Sequence, residues 1–408
     1  MRTRIETLVK KVNRIAYRWG RFVAKGVTIA LSQSARLIPI EPNRIVCISH
    51  IQGLQCADSP MCITQYLLDH YKGDFEICWL VKDPRRFKEL EDKGIRLVKF
   101  KTLSDFYYSN TAQVFISNLF GPPPWVVKRK NKMIVETTHG VAYKSLRSSK
   151  VSSFEVGFPE IKSASWKING ATLCLSGNRI CSEDVYRNEL GYRGEILEEG
   201  LPRNDVFFTD GRKQDARVRE CFSLDDECRI VLMMPTWRKD HSRENIEIDY
   251  HALVHALEEL YGGKWTVLLR LHHLSKVDIS DIMDTYSDCV LNATDYPAVQ
   301  DLLCAGDLLI TDYSSVMWDF ALRERPILIF APDGEEYRQG RGFNVPPEEW
   351  GLVTSSTQSE LLDGIRSHSY EELCEASRAH LKRFGSCETG HATEAVCKRI
   401  ASFCRTED

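Results

Sequence analysis

The sequence lacks any run approaching the roughly 18 consecutive apolar residues of a membrane-spanning helix, which excludes an integral helical membrane protein. It has no Cys-x-x-Cys pair. The nearest cysteines (Cys56 and Cys62, Cys174 and Cys181, Cys221 and Cys228) are too far apart for a zinc knuckle. Several of the fourteen cysteines sit inside apolar runs, such as Cys47 in RIVCIS and Cys78 in FEICWLV, where a thiol behaves as a small apolar side chain. A disulfide framework is therefore not expected, and so many thiols fit a reducing compartment. The N-terminus has no continuous apolar core before a small-residue cleavage site, so an ordinary signal peptide is not expected either. There is no internal repeat and no low-complexity tract. What remains is a chain of 408 residues, 43% hydrophobic and 27% charged, with material for two or three domains of about 150 residues each.

The net charge of −3 is an average over unlike parts. Residues 1–40 hold nine Lys and Arg against the single acid Glu6, a net +8, which leaves −11 for the remainder. Within residues 4–27, Ile5, Leu8, Val9, Val12, Ile15, Trp19, Phe22, Val23 and Val27 recur at helical spacing. At about 100° per residue, Lys10, Lys11, Arg14, Arg18, Arg21 and Lys25 cluster on the opposite face. An ordinary packing helix usually mixes charges on its wet face; this one is cationic. The pattern predicts an amphipathic helix lying on an anionic membrane surface. A nucleic-acid partner is not expected, since the body is acidic and carries no basic patch interleaved with aromatics.

From Arg44 onward, short β-rich runs alternate with helical patterns. The first set of strands is expected at 44–49, 75–81, 95–100, 113–118, 132–137 and 171–176. After a polar stretch beyond Asp205 the alternation restarts at 229–235, 265–271, 288–292, 307–311 and 326–330. Strands separated by helix-length segments imply parallel sheets, hence an α/β protein of two successive doubly wound domains. Ligands of such sheets bind beyond the carboxyl ends of the strands, and with two domains the natural site is the cleft between them.

Polar residues at strand ends are therefore the candidates. Thr138-His139-Gly140, followed by Lys144, offers an imidazole beside a glycine, suited to take a proton from a hydroxyl. Arg203, Asn204 and Asp205 fall at the domain junction, where a structural turn is an equal reading. Thr236 and Arg238, then Arg270, His272 and His273, follow strands of the second set. Asp312, Tyr313, Ser314 and Ser315 stand between a strand and a helix that includes Asp319. Backbone N–H groups and hydroxyls there suit a phosphate, although a plain N-cap explains them as well. With Arg238, Arg270 and Arg341 expected to converge on the same crevice, the set points to a diphosphate ligand. No carboxylate cluster demands a metal, Asp312 and Asp319 being seven residues apart across a helix start, and no cofactor is expected.

The ordered segments THGVAYKSL, GLPRND, PTWR, RLHH, DLLITDYSSVMWDFALRERPILIFAPD and RGFN closely resemble the CDP-glycerol glycerophosphotransferase family, which includes primases and polymerases of teichoic acids and capsule polymers. The resemblance covers most of residues 44–400 and is most specific from Asp307 to Asp333. It implies a GT-B-like pair of Rossmann-type domains. The expected division is a membrane-associating helix at 1–40, an acceptor domain at 41–205, a CDP-donor domain at 206–389, and a C-terminal helix at 390–408 that crosses back to the first domain. It further implies transfer of glycerol phosphate, or a related polyol phosphate, from a CDP-polyol to a lipid-linked glycan on the cytoplasmic face of the membrane. His139 would be the base on the acceptor, and His272 with Arg270 would act on the leaving CMP. Ser314, Ser315, Arg238 and Arg341 would hold the diphosphate, with Thr236 and Tyr313 beside it and Asp312 and Asp319 orienting these groups or the polyol. Thr138 stands where the family has Trp, and His273 where it has Pro. The alternatives are a GT-B glycosyltransferase using a nucleotide sugar and an inactive membrane docking protein.

Overall fold

The computed structural model describes residues 34–49, 53–141, 165–238, 245–272, 275–340 and 343–405. The expected basic helix at 4–27, Lys144, His273 and Arg341 lie outside the described residues.

Two parallel sheets carry the chain. The first has the order β3-β2-β1-β4-β5-β6-β7, built from Glu41–Ile48, Glu76–Val81, Arg96–Lys99, Ala112–Ser117, Met133–Glu136, Leu173–Leu175 and Glu195–Leu197 for β1 to β7. The second has the order β10-β9-β8-β11-β12-β13, from Arg229–Met233, Trp265–Leu269, Val290–Asn292, Leu308–Thr311, Ile327–Phe330 and Val353–Ser355 for β8 to β13. Each strand order reverses beside the first strand of its set, between β1 and β4 and between β8 and β11, which makes both sheets doubly wound. The strands read as apolar runs because helices cover both faces: every residue of β4, β5, β9, β11 and β12 is buried.

Helices close the faces. In the first half these are α1 (Asp58–His70), α2 (Lys88–Glu91) and α3 (Leu103–Thr111), with a π-helical segment at Ile180–Glu189 and a 3-10 segment at Pro202–Phe208. The second half has α4 (Arg212–Phe222), α5 (Tyr250–Tyr261), α6 (Ser280–Thr285), α7 (Val299–Ala305), α8 (Val316–Ala321), α9 (Gly334–Gly340), α10 (Gln358–Arg366), α11 (Tyr370–Arg383) and α12 (Ala392–Arg405). α5 shows how the sequence sets an element. Asp249 caps it by accepting from Ala252 N at 3.0 Å, its apolar stripe buries Leu253, Val254, Ala256 and Leu257, and Gly262 at φ 71° ends it. Burying each such leucine contributes about 2 kcal/mol.

The last helix joins the halves. α12 buries Val396, Cys397 and Ile400 in the core under the first sheet, with Ile63 and Leu67 of α1. Its first turn is tied to the junction by Asp205, whose carboxylate accepts from Ala392 N at 3.0 Å and Thr393 N at 2.8 Å. Among the described residues, no helix is long and apolar enough to cross a membrane. No disulfide is recorded, and most of the cysteines are buried.

Candidate active site

Strand-end loops of both sheets meet at one place. From the first sheet, β5 ends in Glu136 and the chain turns through Thr137, Thr138, His139 and Gly140. Gly140 lies at φ 141°, and a Cβ there would stand 3.0 Å from Ser315 Oγ and 3.1 Å from Arg203 Nη2. Only glycine lets this loop approach both. His139 is half-buried, with its Nδ1 3.0 Å from the carbonyl of Asn118 and its ring edge-on to Phe120 at 5.5 Å. A carbonyl can only accept, so Nδ1 carries the proton and the neutral ring has its lone pair on Nε2. Burial lowers the imidazole pKa below its usual value, with the Asn118 carbonyl pulling the other way. A neutral imidazole at working pH is what a general base requires.

Arg203 is buried and spans the two halves. One guanidinium nitrogen donates to the His139 carbonyl at 2.9 Å and lies 3.5 Å from Asp58; the other pairs with Asp319 of α8. Asn204 donates to Asp319 at 3.2 Å and to Glu388 at 2.8 Å, while Glu388 also accepts from Leu201 N at 3.0 Å. Burial raises Asp319 above the usual carboxylate range and pushes Glu388 up to about 8. Beside this junction lies a small crevice lined by Val141, Asn178, Trp318, Leu381, Phe384 and Glu388, among others.

On the second sheet, Asp312 is fully buried. It accepts from Thr236 N at 2.8 Å, from Arg238 at 2.8 Å and from Asn245 at 3.2 Å. Arg238 also pairs with Asp333 at 2.8 Å and lies under the stacked rings of Tyr313 and Tyr337, whose centroids are 4.0 Å apart. Ser314 Oγ accepts from Val316 N at 3.4 Å as α8 begins, and His272 lies against Trp237 with ring centroids 6.1 Å apart.

These placements amend the sequence reading. His139, Arg203, Asn204, Ser315 and Asp319 do come together. Arg238 and Arg270, expected to converge as cations on a diphosphate, each have partners within the fold. Arg238 answers two carboxylates, and Arg270 donates to the carbonyls of Ala293 at 2.9 Å and Tyr296 at 2.6 Å. Buried Arg238 needs internal partners and has them, while half-buried Arg270 engages the two carbonyls through Nη1. Asp205 caps α12, and Asp319 ties α8 to Arg203. Sequence reasoning missed Glu136, Asp58, Asn118, Asn245, Asp333 and Glu388. Glu136 left a trace as a carboxylate closing an apolar strand, and Asp333 as the end of the longest motif.

Two doubly wound parallel sheets, with a strand-end loop of the first meeting Ser315 after β11 of the second, give this chain a GT-B-like fold. Residues 30–402 match the CDP-glycerol:poly(glycerophosphate) glycerophosphotransferase family, and the chain belongs to it. It is 28% identical over 383 residues to the teichoic acid poly(glycerol phosphate) polymerase of Bacillus spizizenii, across 90% of this chain and 94% of that one. It is 26% identical over 404 residues to the teichoic acid glycerol-phosphate transferase of Staphylococcus aureus, across 93% and 98%. Of the Bacillus subtilis poly(glycerol phosphate) polymerase it spans only 53%, at 24% identity. A solved structure of a variant of the wall teichoic acid polymerase TagF superposes with a TM-score of 0.76 at 25% identity, across 94% of this chain and 96% of that one.

Proposed function

We propose that this chain transfers glycerol phosphate, or a related polyol phosphate, from a CDP-activated donor to a hydroxyl of a lipid-linked cell-surface glycan, releasing CMP. The observation that carries the reading is His139. Its ring is oriented by Asn118 and Phe120, and its loop meets Ser315 and Arg203 where the two sheets converge. In the reaction, Nε2 of His139 takes the proton of the acceptor hydroxyl. The oxygen forms a bond to the phosphorus of the polyol phosphate, and the bridging bond to CMP breaks, CMP leaving with the electron pair. Thr236, His272, Ser314 and Ser315 follow β8, β9 and β11, where a diphosphate bound at the switch point of the second sheet would lie. Arg238, held between Asp312 and Asp333, fixes the loops around that position.

Relatives that act on glycerol phosphate and on ribitol phosphate both resemble the chain, so the polyol is named by experiment. One TagF structure followed soaking with CDPG, which makes CDP-glycerol the first donor to try. The cationic face predicted for residues 4–27 would hold the enzyme peripherally against anionic lipid, close to a lipid-linked acceptor. The test is product mass spectrometry after incubating the purified chain and a lipid-linked acceptor analogue with CDP-glycerol, CDP-ribitol or UDP-sugars. CMP release with an acceptor heavier by one polyol phosphate is expected. UDP release with sugar addition would instead establish the glycosyltransferase reading.

A further inference from the structure

β5 is buried from Met133 to Glu136, and its last residue places a carboxylate with no solvent exposure at the root of the His139 loop. Four donors converge on it. Oε1 accepts from Thr138 N at 2.9 Å and Phe120 N at 3.1 Å; Oε2 accepts from Ser117 Oγ at 2.7 Å and Gly121 N at 2.7 Å. Burying a carboxylate is costly, and these contacts show why a neutral residue would serve less well. A carboxamide has one accepting oxygen, whereas this site asks both oxygens to accept.

Two of the donors sit in unusual backbone. Thr138 has φ 51° and Phe120 has φ 58°, left-handed positions that cost a non-glycine residue on the order of 1 kcal/mol or more each. Such conformations persist only where surrounding contacts hold them. Both residues also flank the imidazole: Thr138 precedes His139, and Phe120 meets its ring edge-on. Asn118, whose carbonyl sets the His139 tautomer, belongs to the same loop as Phe120.

We propose that Glu136 is the positioning residue of the transfer reaction, its carboxylate locking the loop that carries His139 to the loop that orients it. The proposal rests on the reading of His139 as the base. Glu136 itself does not line the crevice. Burial pushes its pKa up to about 7, against the pull of its hydrogen-bond donors. Among the described residues, the titratable groups facing it are the thiol of Cys174, its register partner on β6, and the phenol of Tyr186. Both are pushed well above their usual values and stay neutral, and β4 contributes the neutral Ser117. A proton on Glu136 turns one accepting oxygen into a donor aimed at N–H groups, so the lock loosens as the pH falls through about 7.

The experiment is steady-state transfer with CDP-glycerol, comparing wild type, Glu136→Ala, Glu136→Gln and His139→Ala, with calorimetric CDP binding followed in parallel. Glu136→Ala is expected to lower kcat about 30- to 100-fold, with KM for the donor within about twofold and CDP binding unchanged. Glu136→Gln, which keeps one acceptor but turns an N–H group on the remaining donors, should recover only part of that loss and move the acid limb of the kcat profile to lower pH. A wild-type kcat in Glu136→Ala overturns the proposal, as does a loss shared equally by CDP binding and not regained by glutamine. Should Glu136→Ala fail to fold, the Glu136→Gln profile decides alone, and an acid limb left in place counts against the role. Wild-type turnover in His139→Ala removes the base reading and this role with it. An inactive His139→Ala beside a fully active Glu136→Ala removes only the role of Glu136.

Discussion

Glu136 closes β5 of the first sheet, and Asp312 follows β11 of the second; both are fully buried carboxylates supporting a loop at a strand end. Their partners differ. Glu136 is met by three backbone N–H groups and a serine hydroxyl, all neutral. Asp312 is met by the Arg238 guanidinium, which also engages Asp333. Burial works against the charge of Asp333, yet Arg238 and Asn245 hold its carboxyl below the usual range. Glu136, satisfied by dipoles alone, is pushed up by burial, whereas Asp333, shared with the Arg238 guanidinium, is held down. The His139 loop is therefore the one expected to respond to pH, and the second-sheet loop is tied by the Arg238 ion pairs.

The largest effect is expected from breaking the charged lock. Arg238→Met leaves Asp312 and Asp333 without their cation, and urea unfolding should show a loss of about 3–5 kcal/mol. A loss below about 1 kcal/mol would mean that the two loops are not held differently.

Glu388 sharpens the comparison, because it too accepts mainly from neutral donors, Leu201 N and Asn204 Nδ2. Burial lifts it from 4.5 to about 8, with Asp319 adding to the effect. A carboxyl whose pKa is raised on folding favours the folded state at low pH, and that favour is lost as the pH rises from about 4.5 to about 8. The melting temperature of the wild type should therefore fall across that window more than that of Glu388→Gln. Parallel curves for the two proteins would contradict the assignment.

The smallest effect falls on Asp205, which accepts from the first-turn N–H groups of α12. Asp205→Ala is expected to cost about 1 kcal/mol in chemical denaturation, the usual worth of a helix cap, with transfer activity retained. A loss of activity without a loss of stability would return Asp205 to the substrate cleft.

Much of this architecture was legible. Apolar runs such as RIVLMMP and WTVLLRL became β8 and β9, because a parallel strand buried on both faces has to be apolar throughout. β7 and β13 escaped notice because each is a three-residue edge strand with exposed positions and no pattern to detect. His139 was legible from its place between a strand and a glycine. The pairings that occupy Arg238 and Asn204 were not, since Asp333 lies 95 residues beyond the one and Glu388 lies 184 beyond the other. Charge type can be read along a chain; which charges neutralise one another is decided by the fold.

The central claim is that His139 removes the acceptor proton during transfer from a CDP-polyol. Single-turnover CMP formation, with enzyme in excess over CDP-glycerol and a lipid-linked acceptor present, tests it most directly. His139→Ala should form CMP about a thousandfold more slowly than wild type while binding CDP-glycerol with the same affinity. A rate within about threefold of wild type at equal donor binding would contradict the account.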